Sequence, residues 1–210
     1  MRRRNVHNAH ERLLNHEGLV IFNPNDYKGK WHTLFNNDHD IYLEIGMGKG
    51  QFITKLALLN PNINFIGIEK YESVILQPCD KLKNNYPANL RFICMDAIYL
   101  NDVFDHDEIN KIYLNFSDPW PKSRHDKRRL THENFLKIYQ DINKGDIEFK
   151  TDNIGLAEYS IMSFNQFKAD IKEVCLDLHH EKEDVITTEY EDKFSKKGPI
   201  YYFKINLRNE

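Results

Sequence analysis

The fold is decided by Ile41-Tyr42-Leu43-Glu44-Ile45-Gly46-Met47-Gly48-Lys49-Gly50. The first half of this stretch is a short apolar run, typical of a buried β-strand, and the second half has a glycine at every second position. Phe52, Leu56 and Leu59 then recur at helical spacing until Asn60-Pro61 ends the pattern. The stretch therefore predicts a strand, a glycine-rich turn and a helix in direct succession.

The same alternation continues to the C-terminus. We expect further strands at residues 64–68, 90–94, 109–116 and 147–150, and a terminal pair around 174–178 and 201–207. Residues 143–146 predict a turn, Thr131 is a candidate helix cap, and Pro78 predicts a kink or a break into two short helices. The pattern predicts an open α/β sheet, mostly parallel and twisted, with helices on both faces and an antiparallel C-terminal edge.

Composition restricts the class of protein further. The chain has 210 residues, 40% of them hydrophobic, which is enough apolar surface for a single-domain core. Its three cysteines stand far apart, as in a reduced cytoplasmic protein, and no run of about 18 apolar residues predicts a membrane span. No apolar segment follows the N-terminal arginines, so we expect no secretory signal. Residues 1–38 are polar and predict an N-terminal extension before a domain at 39–210.

Acidic residues fall in step with the predicted strands. Glu44, Glu69, Asp96 and Asp118 each lie at the end of one strand, at intervals of 22 to 27 residues. One strand–helix unit with its loops needs about that length. Any one of these acids is explained as a helix cap, but four in phase beside a glycine-rich turn predict a ligand site. Because open α/β sheets bind ligands at the carboxyl ends of their strands, we expect the four acids at one rim.

The glycine spacing separates two classes of cofactor. A dinucleotide site of the form G-x-G-x-x-G would place its third glycine at position 51, where this chain has Gln51, and an acid beside the turn disfavours a pyrophosphate. S-adenosylmethionine instead carries a sulfonium and an ammonium group, which suit an acid-rich rim. We expect Gly46 and Gly48 to let the backbone approach its amino-acid portion. Glu69 would accept hydrogen bonds from its ribose hydroxyls, and Asp96 from its adenine.

A compact basic run follows the fourth strand. Residues 122–129 contain five basic residues and one acid, although the whole chain has a net charge of −3. Such a run is commonly a solvated face, but this one comes directly after a candidate active-site strand. Arg2, Arg3, Arg4 and Arg12 form a second basic segment. Because clustered Lys and Arg residues bind phosphates, a nucleic acid is the predicted substrate.

These motifs together resemble the bacterial tRNA (guanine-N7)-methyltransferases, the TrmB-like family. The resemblance covers nearly the whole chain and rests on LEIGMGKG at 43–50, NFSDPWPKSRHDKRRL at 115–130, FKTDN at 149–153 and the segment from Thr188 to Glu191. It implies a Rossmann-like class I methyltransferase domain that depends on S-adenosylmethionine. The implied reaction is methylation of N7 of guanosine 46 in the variable loop of tRNA.

The resemblance also implies roles for individual residues. Asp118 is implied to be catalytic and to bind the cofactor together with Glu44, Glu69 and Asp96. The implied substrate-binding positions are Lys122, Asp152, Thr188 and Glu191, and the implied RNA-contacting positions are Arg124, Lys127, Arg128 and Arg129.

The chemistry of guanine N7 limits what these residues must do. N7 has a lone pair in the ring plane, so no strong general base is required, and a nearby carboxylate stabilises the cation that forms. We expect Asp118 to serve the reacting centre. Asp152 or Glu191 is expected to read the guanine edge by accepting from its N–H groups.

Other interpretations remain open from the sequence alone. A methyltransferase acting on another RNA, a protein or a small molecule would keep the acids, and a tRNA-binding subunit without catalysis would keep the basic run. Trp120 either stacks on a base or packs its own loop. Histidines such as His179 and His180 lack metal-ligand spacing, so we expect them to face solvent and expect no metal. Both a monomer and a homodimer fit this length.

Overall fold

The computed structural model describes residues 6–83 and 85–208. Its strands are β1 (Ile41–Ile45), β2 (Asn64–Glu69), β3 (Leu90–Cys94), β4 (Ile109–Asn115), β5 (Asn143–Thr151), β6 (Asp170–Cys175) and β7 (Tyr201–Asn206). They form a seven-stranded sheet in the order β3-β2-β1-β4-β5-β7-β6. β1 to β5 pair in parallel, and β7 runs antiparallel to both β5 and β6. The predicted sheet, mostly parallel with an antiparallel C-terminal edge, is confirmed.

Helices cover both faces of this sheet, as the alternating sequence predicts. One buried apolar cluster contains residues of α1 (Ala9–Leu14), α3 (Gln51–Leu59) and α4 (Glu72–Leu82). A second contains residues of α2 (Trp31–Phe35), α5 (Leu100–Val103), α6 (Glu133–Ile142) and α7 (Ile154–Gln166). Two short helices, α8 (Leu178–Glu181) and α9 (Glu189–Phe194), lie in the chain between β6 and β7.

Residues 6–38 contribute to both apolar clusters. Leu13 is buried in the cluster of α3 and α4, whereas Trp31 is buried in the other and donates its indole N–H to the carbonyl of Val103 at 2.9 Å. Residues 19–21 also hydrogen-bond with the backbone of Phe92, at the outer edge of β3. This segment therefore covers an edge that would otherwise expose unpaired backbone groups.

The second basic segment is only partly described by the structure. Arg2, Arg3 and Arg4 lie outside the described residues. Arg12 forms an ion pair with Asp80 of α4 at 2.5 Å, so it links the N-terminal helix to the body of the protein.

The structure decides parts of two predictions about helices. Of the two alternatives at Pro78, a kink or a break into two helices, the break does not occur, because α4 continues through this residue as one helix. Thr131 is not a helix cap: His132 caps α6, and the buried Thr131 hydroxyl instead lies 2.8 Å from the hydroxyl of Ser160.

The last part of the chain also differs from its predicted pattern. The expected alternation of buried residues through 174, 176 and 178 fails, because Val174 and Leu176 are exposed and Leu178 begins α8. The strand ends at Cys175, which is buried. Short helices therefore occupy a segment in which the sequence shows no clear helical pattern.

β5 begins earlier than predicted, and the expected turn at 143–146 is part of the strand. The register between β4 and β5 shifts between Ile109 and Lys111, so one strand accommodates an extra residue in a bulge. Gly145 lies at this bulge, where a Cβ atom would stand 1.7 Å from the carbonyl oxygen of Asn110. Only glycine allows the two backbones to approach this closely.

Gly145→Ala is expected to lower the free energy of unfolding by about 3 kcal/mol, because the added methyl meets backbone that has no room to relax. Urea unfolding followed by circular dichroism measures the change. Gly155→Ala in α7 is the matched control, since a Cβ there meets only ordinary contacts at 3.5 Å. Equal stability of the two variants would contradict the proposed role of the bulge.

Candidate active site

The carboxyl ends of β1 to β4 border one cleft of about 630 Å³. The strand order reverses between β1 and β4, and open α/β sheets bind ligands at such a switch point. Seven of the residues singled out from the sequence line this cleft: Gly46, Glu69, Asp96, Asp118, Trp120, Lys127 and Arg128. The fold thus brings carboxylates from three strand ends together with two cations of the basic run.

The glycine-rich turn leaves open space at the end of β1. Gly46 and Gly48 have φ angles of 78° and 56°, and a Cβ atom on either would meet nothing within 4 Å. Gly50 differs, because a Cβ atom there would lie 3.1 Å from the Cβ of Pro78. The first two glycines leave space beside the backbone, and Gly46 lines the cleft, whereas Gly50 allows α3 to start close to α4.

Glu69 and Asp96 place carboxylate oxygens along the wall of the cleft. Glu69 ends β2 and accepts hydrogen bonds from the backbone N–H groups of Gly48 and Tyr71, both at 3.2 Å. Asp96 follows β3, accepts from the N–H of Ile98 at 3.2 Å and forms an ion pair with the exposed Lys70. Glu69 is therefore fixed to the glycine-rich turn, and Asp96 is fixed to the turn that follows β3.

Glu44, near the end of β1, does not line the cleft. Its side chain is buried, with the residue only 1% exposed, and Oε1 accepts from the amide of Asn115 at 2.9 Å. Oε2 is buried without a hydrogen-bond partner among the described residues. Burial raises the pKa of Glu44 to about 8, although the hydrogen bond from Asn115 and the charge of Lys150 act in the opposite direction. The sequence placed this carboxylate at the rim, and the structure corrects that position.

The raised pKa of Glu44 predicts a pH-dependent stability. Between the ordinary pKa of 4.5 and the folded value of about 8, the folded state holds a proton that the unfolded state releases, so stability falls as pH rises. Glu44→Gln cannot ionise, so its unfolding free energy relative to wild type is expected to increase by about 1 to 4 kcal/mol from pH 5 to pH 9. Thermal melts across this range measure it, and a constant difference would contradict the prediction.

The loop after β4 has an unusual backbone conformation. Phe116 and Trp120 have φ angles of 52° and 41°, in a region that residues other than glycine rarely adopt. Asp118 lies between them, exposed, and lines the cleft together with Ser117. Such conformations persist only where surrounding structure imposes them, and they are concentrated at functional sites.

The half-buried Arg129 holds this loop by hydrogen bonds. Its Nε donates to the carbonyl of Pro119 at 3.0 Å, and its Nη2 donates to the carbonyl of Trp120 at 2.9 Å. The guanidinium also lies over the ring of Tyr159, 4.1 Å from its centre. Arg129 was predicted to contact RNA, but in this structure its hydrogen bonds hold the two residues that follow Asp118.

The other cations of the basic run lie on the surface. Lys122, Arg124, Lys127 and Arg128 are exposed, on or next to a 3-10 helix at Ser123–Arg128. Arg128 lies over the ring of Trp120 at 4.9 Å, and His125 packs edge-on against the same ring at 5.7 Å. Trp120 therefore packs within its loop, and it also lines the cleft.

Thr188 and Glu191 form the start of α9. The Thr188 hydroxyl accepts from the N–H of Glu191 at 3.0 Å, and the Glu191 carboxylate accepts from the N–H of Thr188 at 3.3 Å, which is a capping box. Glu191 is fully buried and pairs with Lys150 at 3.2 Å and His179 at 2.9 Å. One prediction is corrected, because Glu191 presents no exposed oxygen to a guanine edge. His179 is exposed, as predicted, although its Nε2 also contacts the buried Glu191 carboxylate.

Asp152, by contrast, is exposed directly after β5. It accepts a hydrogen bond from the hydroxyl of Tyr190 at 2.8 Å. β5 pairs with β4, and the N–H of Phe116, at the start of the loop that carries Asp118, donates to the carbonyl of Lys150 at 2.9 Å. Asp152 follows Lys150 by two residues in the chain. Of the two candidates for reading guanine, Asp152 is the accessible one.

Sequence reasoning missed several residues that shape this site. Lys150 follows Phe149 in a predicted strand, and the structure buries it against Glu191. Asn115 holds Glu44, and its only signal is its place before Phe116 in a family motif. Tyr190 lies within the segment from Thr188 to Glu191 that the resemblance implied, but no separate role was predicted for it.

Residues 6–83 and 85–208 contain no group of three or more His, Cys, Asp or Glu side chains that could hold a metal ion. The same residues contain no helix with the length and apolar character needed to cross a membrane.

The chain is similar to known methyltransferases over most of its length. A family model described as "Putative methyltransferase" matches residues 38–203. The tRNA (guanine-N(7)-)-methyltransferase of Lysinibacillus sphaericus is 50% identical over 206 residues, covering 96% of this chain and 95% of the relative. The Bacillus subtilis enzyme of the same name is 49% identical over 212 residues, covering 99% and 100%.

Solved structures support the fold. The 16S rRNA (adenine(1408)-N(1))-methyltransferase from Catenulisporales acidiphilia, determined with its cosubstrate SAM, superposes with a TM-score of 0.62 at 11% identity, over 86% of this chain and 91% of that one. The 16S rRNA methyltransferase KamB gives a TM-score of 0.64 at 10% identity, over 86% and 94%. At this identity the likeness concerns the class I methyltransferase fold alone. Because about half of its residues are identical to those of these relatives over nearly the full length, the chain belongs to the tRNA (guanine-N(7)-)-methyltransferase family.

Proposed function

We propose that this protein transfers the methyl group of S-adenosylmethionine to N7 of guanosine 46 in the variable loop of tRNA. The proposal rests on one cleft that combines two kinds of charged group. Glu69 and Asp96 are carboxylates on one side, and Asp118 lies with the cations Lys127 and Arg128 on the other. About 50% identity to tRNA (guanine-N(7)-)-methyltransferases over nearly the full length supports the same reaction. The proposed partner is tRNA, and the proposed location is the cytoplasm.

The acidic side of the cleft fits S-adenosylmethionine. Gly46 and Gly48 leave backbone uncovered for its amino-acid portion, and Glu69 and Asp96 offer carboxylate oxygens for its ribose hydroxyls and adenine amino group. A volume of about 630 Å³ is in the usual range for a small-molecule site. When bound, this cofactor supplies a methyl group carried on a positively charged sulfur. Glu44 would act indirectly, from its buried position against Asn115 of β4.

The chain's own task in the reaction is positioning and charge stabilisation. N7 of guanine needs no deprotonation, so the site requires no general base. The ring becomes positively charged as the methyl group arrives, and a fixed carboxylate at that place stabilises the charge. Asp118, held in the cleft by its strained loop, is the residue that we assign to this role.

Recognition of the RNA is divided between two groups of residues. The exposed Lys122, Arg124, Lys127 and Arg128 would contact phosphates and set the orientation of the tRNA. Asp152 would accept from N1–H and the exocyclic amine of guanine, which adenine cannot supply in the same arrangement. Thr188 and Glu191 would act indirectly, by fixing α9 next to Asp152.

The test uses methyl-labelled S-adenosylmethionine and two unmodified tRNA transcripts. One carries the variable-loop guanosine, and the other has adenosine in its place. We expect label only in the first transcript, and we expect the labelled RNA to be cleaved by chemistry specific for N7-methylguanosine. This result would establish the cofactor, the nucleotide and the atom together.

Two other outcomes would redirect the assignment. Equal labelling of both transcripts would place the modification at a different nucleotide. No labelling of either, with S-adenosylmethionine still bound in calorimetry, would indicate a different acceptor. Labelling of total RNA from cells that lack this protein would then identify that acceptor.

A further inference from the structure

Tyr190 connects α9 to Asp152, the candidate residue for recognising guanine (the guanine reader). It is 42% exposed, and its hydroxyl donates to Oδ2 of Asp152 at 2.8 Å. Among the described residues, no other hydrogen bond to this carboxylate is seen. Oδ1 therefore keeps its full capacity to accept from a ligand, whereas Oδ2 has one of its lone pairs engaged.

The ring of Tyr190 is fixed on both sides. It stacks on Phe194 with ring centres 4.4 Å apart and 27° between planes, and it packs against Phe116 at 5.1 Å. Phe116 lines the cleft and begins the strained loop that carries Asp118. A single tyrosine thus contacts both the guanine reader and the loop of the proposed reacting centre.

The helix that carries Tyr190 is itself anchored to the sheet. The buried pair of Lys150 and Glu191 fixes its first turn, and Lys150 also donates to the carbonyl of Ile186 at 2.9 Å. Gln51, directly after the glycine-rich turn, donates to Asp192 at 2.7 Å. These contacts hold Tyr190 in one place and connect its helix to the cofactor side of the cleft.

We infer that Tyr190 is a positioning residue for base recognition: its hydroxyl orients the Asp152 carboxylate so that Oδ1 accepts from the donor edge of guanine. This inference rests on the proposed function. Guanine presents N1–H and the N2 amine as neighbouring donors, and an acceptor fixed in direction discriminates better than a freely rotating one. Burial and the neighbouring carboxylate raise the pKa of Tyr190 to about 12, so its hydroxyl remains a donor at neutral pH.

The experiment compares Tyr190→Phe with wild type on tRNA ligated from two pieces, with guanosine or inosine at position 46. Inosine keeps N1–H and lacks the N2 amine, so the ratio of kcat/KM for the two substrates reports on recognition of the amine. We expect Asp152→Ala to bring this ratio close to one, and Tyr190→Phe to lower it by about 10-fold from the wild-type value. The dissociation constant of tRNA is expected to stay the same, because the hydroxyl contacts no phosphate.

The double variant Asp152→Ala/Tyr190→Phe tests whether the tyrosine acts through the aspartate. We expect its ratio to equal that of Asp152→Ala alone, since the hydroxyl has no role once its partner is absent. Tyr99→Phe, at an exposed tyrosine outside the cleft lining, is the matched control and should keep the wild-type ratio. A general loss of structure would lower both substrates equally and leave the ratio unchanged.

The possible failures are distinguishable. If wild type methylates the guanosine tRNA and Tyr190→Phe keeps the wild-type ratio, the inference about Tyr190 is wrong and the proposed function stands. Additive effects of the two substitutions on the ratio would also overturn it. If wild type methylates neither tRNA, the proposed function fails and this inference fails with it.

Discussion

Replacing Asp118 with alanine is expected to lower kcat for tRNA methylation by about 100- to 1,000-fold. The carboxylate lines the cleft at the end of β4, next to the point where strand order reverses. Methylation at N7 leaves a positive charge on the guanine ring, and removing one preorganised electrostatic partner commonly costs a factor of this size. The loss should appear in kcat, because the interaction strengthens only as the charge develops.

The measurement must separate chemistry from cofactor binding, since Asp118 is also expected to contact S-adenosylmethionine. Single-turnover rates at saturating cofactor, with calorimetry for cofactor affinity, achieve this. Asp118→Asn keeps the size of the side chain and removes its charge, so it should be nearly as slow as the alanine variant. Asp102→Asn, at an exposed aspartate of α5, is the matched control. Near wild-type turnover of Asp118→Ala would remove this residue from the mechanism.

The acids of the cleft could be placed from the sequence because their signal is local. A strand of about five residues, its turn and its helix have a nearly fixed length, so acids 22 to 27 residues apart arrive at one edge of the sheet. Glu69, Asp96 and Asp118 all line the cleft. The basic run joined them because it follows the fourth strand directly.

Glu44 shows why local spacing was not sufficient. Side chains of a strand alternate between its faces, and only residues at its very end extend past the buried layer. Glu69 is the last residue of β2, whereas Glu44 is followed by Ile45 within β1. A difference of one position determines whether a carboxylate reaches the cleft or remains in the core. A sequence pattern does not locate the end of a strand to within one residue.

α9 could not be predicted because its anchors are far away in the chain. Gln51 and Asp192 are separated by 141 positions, and Lys150 and Glu191 by 41. A six-residue helix is too short to form without such contacts. The Thr188 and Glu191 pattern is a helix-start signature, but only the structure shows that its two reciprocal hydrogen bonds form.

Arg128 and Arg129 are adjacent in sequence, yet their substitutions are expected to affect different quantities. Arg128 is exposed beside the cleft, so Arg128→Gln should weaken tRNA binding and reduce the slope of log affinity against log salt concentration by about one. Arg129 donates to the carbonyls of Pro119 and Trp120, so Arg129→Lys should lower kcat by about 10-fold and leave the salt slope unchanged. A lysine keeps the charge but cannot reproduce the two-pronged contact.

Filter binding of tRNA between 50 and 300 mM salt, combined with single-turnover methylation, gives both quantities for both variants. Arg124→Gln, at another exposed arginine of the run, is the matched control and should follow Arg128→Gln. If Arg129→Lys changed the salt slope and kept its rate, this arginine would be a phosphate ligand, as the sequence first indicated. If the two arginines separate as expected, one short basic segment performs two tasks: part of it holds RNA, and part of it shapes the loop that presents Asp118.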